Sequence, residues 1–234
     1  MVSYCNVDVK FAQHSSPVPI PPRGVRKSSV ALVGGWLALV LTGMFFLTRY
    51  EWQPGMETGA PVHWPAASHI TAATGEPTLL LFLHPHCACS AASIAELGHL
   101  MTQTSPHAKV VVVFVHPPGA PADWSETDLW KSAAKLPGVQ LLDDRDGHEA
   151  DDFTTGTSGR TLLYGADGNL LFAGGITPGR GEEGNNPGIA TLTTLLKYGS
   201  SAPTPSSGAP VFGCPLQTPS GTPAPATPEP VHRS

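Results

Sequence analysis

Residues Thr78–Ser90 read TLLLFLHPHCACS. The first six are continuously apolar, a length and composition that predict a strand buried on both faces. His84-Pro85-His86 breaks the run. Cys87 then opens a stretch to Gln103 in which Ile94, Leu97, Leu100 and Met101 recur at helical spacing. A strand feeding a helix through two His and two Cys sets sulfur at the helix opening. Unpaired backbone N–H groups and the positive end of the helix dipole favour an anion there, so Cys87 is expected as a thiolate, below the ordinary thiol pKa of about 8.5. His84 and His86, when protonated, would act in the same direction.

Downstream, Lys109–His116 (KVVVVFVH) reads as a second buried strand. Ser125 and Asp128 resemble a capping box for a helix over 126–136, which Gly138 ends. Val139–Asp143 reads as a third strand and 148–153 as a short helix. Strands over 161–165 and 170–173 are joined by Ala166-Asp167-Gly168-Asn169, residues that tolerate positive φ. Asn186-Pro187 caps a last helix to Tyr198, closed by Gly199. Parallel strands linked by helices, then an antiparallel hairpin and a closing helix, describe an α/β fold with a mixed sheet flanked by helices. No internal repeat is present.

The chain outside this core divides sharply by composition. Val30–Thr48 is 19 residues without a charge, about 28 Å as a helix and close to the hydrocarbon thickness of a bilayer. Basic Lys10, Arg23, Arg26 and Lys27 precede it, and Tyr50 and Trp52 follow it where an interfacial aromatic belt belongs. The expected organisation is a cytoplasmic segment over 1–29, an uncleaved single-pass anchor over 30–48 in the cytoplasmic membrane and a Pro-containing tether over 49–77. A folded domain over 78–199, periplasmic or extracellular, and a Pro-rich tail over 200–234 complete it. Nine prolines lie between Pro203 and Pro230, too little apolar surface to offset ordering entropy, except for one island, Val211-Phe212-Gly213-Cys214-Pro215-Leu216. Residues 50–234 carry a formal charge of −9, which argues against nucleic acid as a partner because that affinity comes chiefly from Lys and Arg. The aspartate-rich run from Asp143 to Asp152 lacks EF-hand spacing and reads as a solvated turn. Arg160 and Arg180 offer themselves to a substrate carboxylate or to solvent.

The element order, together with HPHCACSAASIAEL, TSGRTLLYGADGNLLFAGGIT and VFGCPL, resembles the thioredoxin-like superfamily. Within it the chain looks like the bacterial membrane-anchored proteins labelled RedB-like. The resemblance implies an attacking cysteine five residues after a strand Phe and a second cysteine eight after it. Counting from Phe82, these positions are Cys87 and Ser90, so Ser90 stands where the partner thiol is usual. It also implies a cis-proline before the hairpin strand, where the present residues, Thr157-Ser158-Gly159, contain none.

The reading is thiol–disulfide exchange with a protein thiol or disulfide partner and no required cofactor, with Cys87 attacking and Cys89 or Cys214 resolving. Helical geometry sets positions 87 and 89 about 200° apart, so pairing them requires Cys87 to lie outside the helix proper. The 15 residues from Gly199 to Cys214 reach far enough for the island to dock beside Cys87. Two alternatives stay open. His84, His86, Cys87 and Cys89 offer soft donors suited to Cu or Zn. A redox-inactive domain serving as a subunit of a larger membrane complex would also tolerate the loss of both the second Cys and the proline.

Overall fold

The computed structural model describes residues 27–55, 59–104, 107–199, 206–207 and 209–217. Cys5, the basic residues before Lys27 and most of the Pro-rich tail lie outside them. The chain divides into two units between Phe46 and Leu47. Helix α1 (Lys27–Glu51) is long and apolar enough to cross a membrane by length and composition.

The elements that follow are β1 (Thr78–Leu83), α2 (Ala88–Thr104), β2 (Lys109–His116), α3 (Asp128–Ala133), β3 (Val139–Arg145), α4 (His148–Asp152), β4 (Arg160–Tyr164), β5 (Leu170–Gly174), α5 (Pro187–Tyr198) and the two-residue β6 (Ser206–Ser207). They form one mixed sheet in the order β3-β2-β1-β4-β5-β6. β1 runs parallel to β2 and β2 to β3, β4 is antiparallel to both β1 and β5, and β6 is parallel to β5. β1 is therefore central, and its six residues are all buried.

Side chains alternate across that sheet. Leu79, Leu81 and Leu83 with Val110, Val112 and Phe114 meet Ile94, Leu97 and Leu100 of α2 and Ile189 and Leu192 of α5. Leu80, Phe82, Val111, Val113 and Val115 meet Ala150, Phe153, Leu162 and Tyr164 on the other face. Covering both faces explains why the β1 and β2 sequences are apolar throughout rather than alternating.

Several local expectations shift. The helix expected over 126–136 is the shorter α3, capped by Thr127, whose side chain accepts from Trp130 N. Ser125 instead donates to Asp143 Oδ1. β3 extends to Arg145 because its pairing with β2 continues through His116. The acidic run is not simply solvated. Asp144 is buried and accepts from the N–H groups of Glu149 and Ala150, closing the start of α4. Buried Glu149 accepts from Ser68 Oγ and His69 N. The segment read as a tether is packed along the domain from Gly59 onward. Trp64 stacks edge-on against Phe153 and Tyr164 with centroids at 5.1 Å in each case, Tyr164 donates to Pro61 O, and Leu170 N donates to Val62 O. Prolines keep such a segment out of regular structure but do not stop its aromatic and backbone groups from docking.

Candidate active site

β1 delivers its last residue, Leu83, to a turn in which Cys87 N donates to His84 O at 3.2 Å. Ser90 N donates to Cys87 O at 3.0 Å. Cys87 thus stands at the helix opening with free dihedrals, and α2 begins one residue later. That position lets three thiols meet. The sulfurs of Cys87, Cys89 and Cys214 all lie within 4.8 Å of one another, and none is in a disulfide. The residue Cys87 is only 2% exposed, whereas Cys89 and Cys214 are partly open.

The three sulfurs are electrostatically unequal. Hydrogen bonds from the thiols of Cys214 and Cys89 hold Cys87 well below the usual thiol range, against a burial cost, with help from the backbone N–H groups of Cys214 and Cys89. The Cys89 amide belongs to the opening turn of α2, so the helix contributes as expected, yet the neighbouring thiols contribute more. The Cys214 thiol is pushed well up because its proton serves Cys87 first and Cys89 second, with burial adding to this. At Cys89, donation from Cys214 lowers the pKa. It is outweighed by the bond Cys89 gives Cys87, by burial and by the Cys87 charge, while Arg180 pulls the other way, and the net shift is upward.

Ser90 is fully buried and locks the site. His84 N donates to Ser158 Oγ at 3.0 Å, so the Ser158 hydroxyl is free to donate to Ser90 Oγ at 2.9 Å, and Ser90 Oγ donates to His84 O at 2.9 Å. The ring closes on itself and ties the β1–α2 turn to the loop before β4. That loop contains Thr157, Ser158 and Gly159, and it has no cis peptide bond. Gly159 N donates to Phe82 O at 2.8 Å with φ at +93°, a left-handed conformation that glycine adopts without strain.

The two histidines pack against a tryptophan. His84 Nδ1 accepts from His86 N, so that nitrogen carries no proton. His86 Nε2 lies 3.0 Å from Trp124 O, and both rings pack on the Trp124 indole. Among the described residues the metal-capable cluster is Cys87, Cys89 and Cys214, with neither His84 nor His86 in it. Trp124, beside these rings, is a neighbour that no local spacing reveals. The role of Arg180 was also missed. Its Nη1 donates to Gly213 O at 2.6 Å, so it holds the chain's own tail rather than a free carboxylate.

No family model matches the sequence, and no curated protein matches it. Solved structures do. A hypothetical protein from Sinorhizobium meliloti aligns over 72% of this chain and 96% of its own at 16% identity with TM-score 0.52. An uncharacterized conserved protein from Geobacillus kaustophilus aligns over 73% and 95%, also at 16% identity and TM-score 0.52. A secreted Mycobacterium tuberculosis disulfide oxidoreductase aligns over 53% and 84% at 18% identity with TM-score 0.39. At 16% identity the likeness to the first two is one of fold.

Proposed function

We propose that this chain, whose fold is thioredoxin-like, is a membrane-tethered thiol–disulfide oxidoreductase that uses Cys87 as its nucleophile. The observation that carries the reading is the meeting of three reduced cysteines within 4.8 Å, with one sulfur stabilised as thiolate by the other two. Thiolate is the attacking form, and it is held at the end of β1 by a closed hydrogen-bond ring. Cys87 thiolate attacks one sulfur of a partner disulfide, forming a mixed disulfide and releasing the other sulfur as thiolate. Cys214 or Cys89 loses its proton and attacks Cys87 Sγ, releasing the second partner thiolate. Two electrons pass to the partner, whose sulfurs take up protons from water, and an internal disulfide remains. The apolar α1 serves as the anchor, with the basic N-terminal segment inside and the domain outside the cytoplasmic membrane. Reduction of an oxidised dithiol peptide by the full chain in detergent tests this. Cys87→Ser abolishes turnover, and Cys214→Ser or Cys89→Ser accumulates a mixed disulfide visible by mass. Retention of full activity by Cys87→Ser would refute it.

A second reading is favoured by the same convergence. Three soft sulfurs at this spacing suit trigonal Cu(I) better than four-coordinate Zn, because neither His84 nor His86 joins them as a fourth donor. Anaerobic copper titration distinguishes it. One tightly held Cu(I) per chain that is lost together in all three Cys→Ser variants supports delivery of metal rather than electrons.

A further inference from the structure

Residues 209–217 pack beside the cysteines and pair at one point, as a strand would, with the loop before β4. Thr157 and Pro215 form an antiparallel bridge. On either side of that pair Ser158 N donates to Cys214 O at 2.8 Å and Leu216 N donates to Gly156 O at 3.0 Å. Pro215 stands opposite Thr157 in the pair that exchanges no hydrogen bond, so its missing N–H costs the pairing nothing, as for proline on an edge strand. Gly175 N donates to Ala209 O, Gly55 N to Val211 O and Arg180 Nη1 to Gly213 O. Val211, Phe212 and Leu216 are buried. Gly213 is the tightest point, because a Cβ there would run into Ser158 O. Main-chain pairing thus sets the register, and glycine directly before the cysteine lets the strand lie close enough to bring Cys214 Sγ to Cys87.

We propose that the edge Gly156–Ser158 is a docking groove for an extended protein segment in which glycine directly precedes the reactive cysteine, and that residues 209–217 are its resident occupant, displaced by a partner of that pattern. The inference rests on the exchange reading and adds its substrate class. Main-chain bonds are sequence-tolerant, so the selective element is the steric limit at the position before the cysteine. Tail and partner use the same N–H of Ser158 and the same C=O of Gly156, so they cannot occupy the groove together. The tail leaves as the partner enters and Cys87 forms the mixed disulfide. Its return brings Cys214 back to Cys87 Sγ, releases the partner thiolate and refills the groove in one movement.

Amide exchange at Ser158 in the reduced full chain in detergent reads groove occupancy without reference to thiol chemistry. Gly213→Val drives the tail off and speeds that exchange by about tenfold or more. Arg180→Gln, which removes one bond to the tail and leaves its apolar contacts, gives a smaller increase. The nonapeptide of residues 209–217 carrying Cys214→Ser, added in trans to the Gly213→Val chain, restores protection, and the same peptide with Gly213→Val does not. Equal protection by both peptides, or Ser158 exchange unchanged in both chain variants, overturns the proposal. Disulfide turnover measured on the same wild-type preparation separates the two readings. Turnover without any groove response leaves exchange standing and removes the docking, and groove response without turnover does the reverse.

Discussion

Cys87 accepts from two thiols and two backbone amides, a donor set that lets a nearly fully buried sulfur stay ionised where burial alone would push its pKa up. Its stabilisation comes from the same two thiols that the proposed exchange would use to resolve it, so in that proposal reactivity and resolution are properties of one cluster. Ser90 plays the complementary part. Its hydroxyl fixes the turn, since it both accepts and donates inside the ring of His84, Ser158 and Ser90. Ser90→Ala leaves the buried Ser158 proton without its acceptor and takes one of two donors from the His84 carbonyl, which keeps Cys87 N. A loss of about 1–3 kcal/mol in stability is expected from urea unfolding, with Cys87 still present and alkylatable. An unchanged midpoint would mean that the ring contributes nothing to the fold.

At the scale of elements, the parts legible in the sequence were those where one local signal coincided with its tertiary use. The apolar runs of β1 and β2 are strands over the expected residues because both of their faces are covered. α5 starts at Pro187 because the Asn186 side chain accepts from Ile189 N as a cap should. Cys87 could be placed at a helix opening for the same reason. Ser125 misled because its hydroxyl had a better long-range partner in Asp143, which no spacing within 125–128 reveals. The docked stretch before β1 was the least legible, whereas the apolar island of the tail was expected to reach Cys87 and does. Proline content describes what a segment cannot form by itself and is silent about the surface it meets. For the stretch before β1 that surface is aromatic. Trp64 seals Phe153 and Tyr164, and Trp64→Ala is expected to cost about 2 kcal/mol, below the range for a fully buried tryptophan because the ring is only partly enclosed. Thermal unfolding checks this, and a cost near zero would make the segment a loose tether after all.

For the molecule as a whole, the cluster couples folding to pH and to redox state. In the unfolded chain all three thiols titrate near 8.5. Folding lowers Cys87 and raises Cys89 and Cys214. A lowered pKa stabilises the fold fully above the unfolded value, and that contribution shrinks as pH falls toward the folded one, by up to about 1.4 kcal/mol per pH unit for one proton. A raised pKa does the opposite: its contribution is complete below the unfolded value and is lost as pH rises above it. Between pH 6 and about 8 the reduced chain should therefore gain stability with pH through Cys87. Above about 8.5 it should lose stability as unfolded Cys89 and Cys214 ionise while their folded counterparts stay protonated. The sum is a maximum just below the unfolded thiol pKa, at about pH 8.2, for the reduced protein. Urea midpoints measured with a phosphine reductant from pH 6 to 9.5 would trace it. Cys87→Ser removes the rising limb, and oxidation of Cys87 to either neighbour flattens it as well because no thiolate remains at that position. Coincident profiles for wild type and Cys87→Ser would show that the sulfur is an ordinary thiol in the fold, and with it the basis for attack at neutral pH would be gone.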